Sequence, residues 1–252
     1  MFFKRFFNKR IEDAHTIYNG AFMFDRNLPS AKRVLALAAH PDDETLGCGG
    51  VLSLHKQAGA EVRVLVFTDG GGVSYEGGED VSEVRKREAI EAGKIHGINK
   101  FYFNNIPDGK LQQNREQAET ILYNVLSEYN PDLVYAPSPV DFHPDHRLVY
   151  LLALEAASRG IKTAFYEIYA PLRFNLLIDI TKVMHLIERA FLEYKTSLVG
   201  NPQHFWMAFK GLNAYRRFMM PISNEERYYE AFWVIDGRMK ERDIASWLLY
   251  DR

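Results

Sequence analysis

From Arg33 onward the chain alternates short apolar runs with stretches of helical period. "RVLALAAH" (33–40) reads as a buried strand, and "TLGCGGVLSLHKQAG" (45–59) as a helix with glycines near its start. "EVRVLVFTDG" (61–70) reads as a strand with a loop behind it, and "DVSEVRKREAIEAGKIHG" (80–97) as a helix ending at Gly97. Strands at 100–105, 132–139 and 162–170 and helices at 114–130 and 144–160 continue the pattern. Beyond Ala170 the order weakens: 181–198 reads as a helix, aromatic residues cluster between 204 and 233, and "EAFWVI" (230–235) reads as a last strand.

Apolar strands alternating with amphipathic helices predict βαβ units, hence an α/β fold with a Rossmann-like, mostly parallel sheet flanked by helices. The irregular C-terminal stretch is expected to cap the same domain. Residues 1–30 are set apart as an N-terminal extension, and 31–252 are taken as one domain. In open α/β sheets, sites form at the carboxyl ends of the strands. "HPDDE" (40–44) therefore sits where the first strand leaves the sheet, facing a crevice.

Composition narrows the partners. The 252 residues carry a formal net charge of −2, which points to no nucleic-acid surface. Cys48 is the sole cysteine, which excludes an intrachain disulfide and fits a reducing, cytoplasmic compartment. No stretch approaches the roughly 18 apolar residues of a membrane span. The start, "MFFKRFFNKR", lacks the long apolar core of a signal peptide. Drawn as a helix, Phe2, Phe3, Phe6 and Phe7 share one face. Such a segment either docks on its own domain or a partner subunit, or anchors the chain peripherally at a membrane surface through residues 1–10.

Two polar clusters carry the candidate chemistry: His40-Pro41-Asp42-Asp43-Glu44 and Asp141-Phe142-His143-Pro144-Asp145-His146. Both follow predicted parallel strands, so both can face one pocket. Histidines and carboxylates in this number suit zinc or a similar divalent ion, with carboxylates left over as bases. Helix capping by Asp42, Asp43, Thr45 or Asp141 is the competing use of the same residues.

"AHPDDE", the following "LGCGG" and the later "HPDH" resemble the LmbE/PIG-L family of metal-dependent de-N-acetylases, over most of residues 33–150. The resemblance implies hydrolysis of an N-acetyl group on an N-acetylglucosamine-type conjugate, releasing acetate and a free amine. It implies His40, Asp43 and His146 as ligands of one Zn2+, with Fe2+ as an alternative ion. It implies Asp42 as the general base, His143 as an imidazolium that stabilises the oxyanion and protonates the amine, and Asp145 as the partner orienting His143. Glu44 is left to support a ligand. Arg85, in "RKRE", matches a family arginine that reaches substrate hydroxyls, and Asp108, in "IPDG", a sugar-binding aspartate; a solvated helix face and a simple Asp-Gly turn are the alternatives. "YKTSL" (194–198) departs from the family, with Leu198 where glutamine is frequent. Rival functions are a metallohydrolase acting on a non-sugar amide and a non-catalytic sugar-binding protein.

Overall fold

The computed structural model describes residues 24–198, 200–221 and 223–235. The alternating pattern resolves into β1 (Arg33–Ala38), α1 (Asp43–Gln57), β2 (Glu61–Thr68), α2 (Val81–His96), β3 (Lys100–Ile106), α3 (Arg115–Tyr129), β4 (Leu133–Pro137), α4 (Pro144–Ser158) and β5 (Lys162–Tyr166). β6 (Leu176–Asp179), α5 (Met184–Phe191), α6 (Pro202–Tyr215) and β7 (Tyr229–Ile235) follow. The strands form one sheet in the order β3-β2-β1-β4-β5-β7-β6. β1 to β5 run parallel, and β7 runs antiparallel to both β5 and β6.

Both sheet faces are covered, which is why β1 is apolar without alternation. Val34, Ala36 and Ala38 point into a core shared with Val51 and Leu52 of α1 and Ile187 of α5. Leu35 and Leu37 point the other way, into a core with Leu122 and Leu126 of α3 and Val149 and Leu152 of α4. β1 pairs with β2 on one side and β4 on the other, so successive crossovers diverge from it. The loops behind β1 and β4 open at that divergence, and they carry the two polar clusters.

The glycines of "LGCGG" serve close packing. A Cβ at Gly47 would lie 2.1 Å from the Tyr166 ring, and one at Gly50 would lie 2.5 Å from Ile180. Two helical segments of α1 meet at Cys48, whose φ of −151° interrupts the helix. The interruption frees the amides of Gly50 and Val51, and the Glu230 carboxylate of β7 accepts both, at 2.7 and 2.8 Å. Cys48 is fully buried, its thiol donating to the Glu44 carbonyl at 3.4 Å.

The C-terminal region departs from the expected irregular cap. β6 and β7 extend the sheet, and Trp206 of α6 packs on Phe191 at 5.4 Å between ring centroids. The predicted helix at 181–198 is a 3-10 turn (Thr181–Val183) followed by the shorter α5. The chain leaves helical geometry because buried groups of α1 and α2 claim it. Glu88 accepts from the Thr196 amide at 3.0 Å, Arg85 donates to Ser197 Oγ at 2.9 Å, and Tyr194 bonds Glu44. Of the expected N-terminal extension, Asp25 bridges to Leu176 of β6. The proposed anchor at residues 1–10 lies outside the described residues. Among the described residues, no helix is long and apolar enough to cross a membrane.

Candidate active site

The loops behind β1 and β4 bring His40, Asp43 and His146 together. His40 Nδ1 lies 3.3 Å from His146 Nε2. Asp43 Oδ1 is 3.2 Å from His146 Nε2, and its Oδ2 is 3.6 Å from His40 Nδ1. Tetrahedral ligands at bonds of roughly 2.0–2.2 Å stand about 3.3–3.6 Å apart; the two ring nitrogens have that spacing, and Asp43 turns Oδ1 to one ring and Oδ2 to the other. Asp43 is held for this by the amides of Ala39 and His40, both donating to Oδ2, at 2.8 and 2.9 Å.

The outer nitrogens of both histidines also meet carboxylates. His146 Nδ1 is 3.1 Å from Asp141 Oδ2, and His40 Nε2 is 3.1 Å from Asp108 and 3.3 Å from Asp145. These contacts are short, although neither nitrogen has a well-aligned hydrogen bond. A carboxylate on the far nitrogen is the usual support of a metal-binding imidazole, because it fixes the tautomer that leaves the other nitrogen free.

Electrostatics point the same way. Burial opposes charge on His40, but Asp108, Asp145 and Asp43 outweigh it and hold the ring well above its ordinary value. Burial likewise opposes charge on His146, and Asp43 and Asp141 raise it to about 9. Asp43 is buried, yet the two rings hold it well below the usual carboxylate range. The cluster therefore carries an excess of negative charge suited to a cation. His143 brings a ring nitrogen within 4.8 Å of the ligand atoms of His40 and His146, and a set of His40, Asp108 and Asp145 has similar compactness. Asp108 and Asp145 meet Nε2 of His40, opposite the nitrogen that faces Asp43 and His146.

Asp42 sits beside these donors with a φ of 131°, a region L-residues rarely adopt, at a cost on the order of 1–3 kcal/mol. It makes no side-chain cap bond to α1. Its Oδ2 instead accepts from Arg85 Nη2 at 3.0 Å. Burial pushes the Asp42 carboxyl up, Arg85 pulls it down and Asp43 pushes it up again, with a net rise.

Four expectations change. Asp145 does not orient His143 through its side chain. Its carboxylate accepts from Gly109 N and Leu111 N at 2.8 and 3.2 Å and lies against His40, because the first turn of α4 points it at the loop behind β3. His143 is not held as an imidazolium: it caps α4, its Nδ1 accepting from the Asp145 amide at 3.2 Å. Burial and the two neighbouring histidines lower it. Arg85 does not offer its guanidinium to substrate hydroxyls. It is buried and donates to Gly70 O, Pro41 O, Asp42 and Ser197. Glu44 supports no ligand directly; it joins Tyr194 and Thr45 in a buried polar group, where burial raises it to about 7. Asp108 occupies an Asp-Gly turn closed by Lys110 N to Pro107 O at 3.0 Å, and it accepts from Gly72 N while meeting His40.

Two residues escaped the sequence reading. Asp141 backs His146 and accepts from the His143 amide at 2.9 Å; its place two residues ahead of "HPDH" was a signal, read there only as capping. Tyr169 stacks parallel on His146 at 5.6 Å and is half exposed; nothing in "YEIYAPL" marks it.

The family model for GlcNAc-PI de-N-acetylase (PIG-L) matches residues 35–157, which span both clusters. Diacetylchitobiose deacetylase of Thermococcus kodakarensis is 27% identical over 210 residues, covering 73% of this chain and 77% of its own. An uncharacterized deacetylase of Escherichia coli, YaiS, is 30% identical over 141 residues, 54% of this chain and 74% of its own. The solved structure of N,N'-diacetylchitobiose deacetylase from Pyrococcus horikoshii, bound to its inhibitor MPG, superposes with a TM-score of 0.69 at 26% identity, covering 93% of both chains.

Proposed function

The chain belongs to the PIG-L family of de-N-acetylases, and from that membership we propose that it hydrolyses the N-acetyl group of an N-acetylglucosamine-type conjugate. The products are acetate and a free amine. The observation that carries the reading is the convergence of His40 Nδ1, Asp43 and His146 Nε2 beside Asp42, a carboxylate held at a φ of 131°. A binding module would need the donors but not the strained carboxylate next to them.

His40, Asp43 and His146 hold the ion in this reading, and zinc suits two nitrogens and one oxygen with an open position. When bound there, the ion supplies Lewis-acid chemistry, polarising an amide carbonyl and lowering the pKa of a water toward 7. Asp42 accepts a proton from the water that attacks the carbonyl carbon and returns it to the departing nitrogen. Its raised carboxyl helps the second step, and Arg85 keeps it aimed during the first. With Nδ1 engaged as an acceptor, neutral His143 carries its proton on Nε2 and offers that N–H to the developing oxyanion. Asp108, partly exposed at the rim, supports binding of a sugar hydroxyl in addition to its contact with His40.

The reading is tested by acetate release from diacetylchitobiose and from N-acetylglucosamine carrying varied aglycones, with zinc-loaded protein. Release from at least one sugar is expected. Release only from acetylated peptides or other non-sugar amides overturns the sugar assignment.

A further inference from the structure

A cavity of about 280 Å3 opens beside Asp42, between α6, α5 and the loop behind β5. Its wall is formed chiefly by Leu46, Ile168, Phe191, Leu198, Phe209 and Leu212. Two of the polar groups that line it are already engaged, and Asp42 and Tyr169 complete its polar lining. Ser197 Oγ accepts from Arg85, and the Tyr194 hydroxyl bonds Glu44. Asp42 and Tyr169, which stacks on His146, lie on the side of the ion site. The six apolar side chains of the wall offer no partners to sugar hydroxyls, whose desolvation against them would go uncompensated.

On the other side of His40 the surroundings are polar. Asp108 meets His40 Nε2 and the Gly72 amide, and Gly71 and Gly72 are exposed. An N-acyl amino sugar has one hydroxylated end and one hydrocarbon end, joined at the amide. The hydroxylated end matches the polar side. The hydrocarbon end begins one bond from the carbon that Asp42 directs water onto, and the chamber begins at Asp42. An apolar aglycone would instead be separated from that carbon by the sugar ring. An acetyl methyl would leave most of the chamber unfilled.

Building on the deacylation chemistry above, we infer that this chamber takes the acyl group of the substrate and that the protein releases straight-chain acyl groups longer than acetyl. The reaction balances as it does for acetate. Water oxygen bonds to the carbonyl carbon, the C–N bond breaks, the chain leaves as a carboxylic acid, and the water proton passes to the amine. Leu198 adds a hydrocarbon side chain to the wall beside Phe191 and Leu212.

The test measures amine release by the zinc-loaded full chain in two series. One varies the acyl group of a methyl glucosaminide through acetyl, propionyl, butyryl and hexanoyl. The other keeps N-acetyl and lengthens an alkyl glycoside. In the first series kcat/KM should rise about fourfold per methylene, the equivalent of burying one CH2, while the second stays flat. Filling the chamber by Leu212→Trp should lower the hexanoyl-to-acetyl ratio at least tenfold. Ala208→Trp, at an exposed lining position, serves if Leu212→Trp does not fold. Acetyl release with a flat or falling acyl series overturns the inference and leaves de-N-acetylation standing. A rise only with alkyl glycosides assigns the chamber to the aglycone and also overturns it. If no compound is cleaved, the deacetylase reading and the inference fall together, whereas a flat acyl series with acetyl release removes the inference alone.

Discussion

The Asp145 carboxylate lies 3.3 Å from Nε2 of His40, on the side of the ring opposite the donors Asp43 and His146. It thereby acts on the ion site through a ligand. Asp145→Asn should weaken metal binding about 10–100-fold, the usual effect of losing such support, as measured by competition with a chelator. Unchanged metal affinity with a shifted basic limb of the pH profile would return Asp145 to His143.

Asp42→Asn keeps the shape of the side chain and cannot accept a proton. Metal content should match the unmodified protein, while turnover falls roughly 10² to 10⁴-fold. A near-normal rate would place the base elsewhere.

Arg85 sets where Asp42 works. Its guanidinium lowers the Asp42 carboxyl against burial. A base is active when deprotonated, so removing the neighbouring positive charge raises its pKa and moves the acid limb of kcat/KM to higher pH. Arg85→Gln should show that upward shift. A rise in KM with an unmoved acid limb would favour direct contact with substrate instead.

Glu230 gives a pH signature away from the ion site. Burial raises its carboxyl from the ordinary 4.5 to about 8, against the pull of the Val51 and Gly50 amides. Between those values the folded protein holds a proton that the unfolded chain releases. Stability therefore falls as pH rises through that window. Thermal unfolding from pH 5 to 8 should show a larger loss for the unmodified protein than for Glu230→Gln. Parallel curves would contradict the assignment.

Much of this was legible in the chain, and the limits have physical causes. β1 to β5 were readable because a strand buried on both faces must be apolar throughout, and the helices between them carry clear periods. The "HPDDE" and "HPDH" clusters could be placed at one edge because right-handed crossovers put them there. β6 was not legible: "LLID" is four residues, and its partner strand, β7, lies far along the chain. α6 was hidden by its aromatic residues and Gly211, although Asn201 caps it and Pro202 opens it. Arg85 was read as a substrate ligand because nothing local shows that Gly70, Pro41 and Ser197 arrive to occupy it. The pairing of Asp145 with His143 came from the family resemblance, and nothing local shows that the first turn of α4 aims this carboxylate at His40 instead.

The central claim is that one divalent ion among His40, Asp43 and His146 makes the protein a hydrolase. It is tested most directly by stripping the full chain with a chelator and titrating zinc back while following acetate release from diacetylchitobiose. Release should be absent at the start, rise with added zinc and level off at about one equivalent per chain, the loading of a single three-ligand site. Full release by the stripped protein, or a His146→Ala variant that titrates identically, would contradict it.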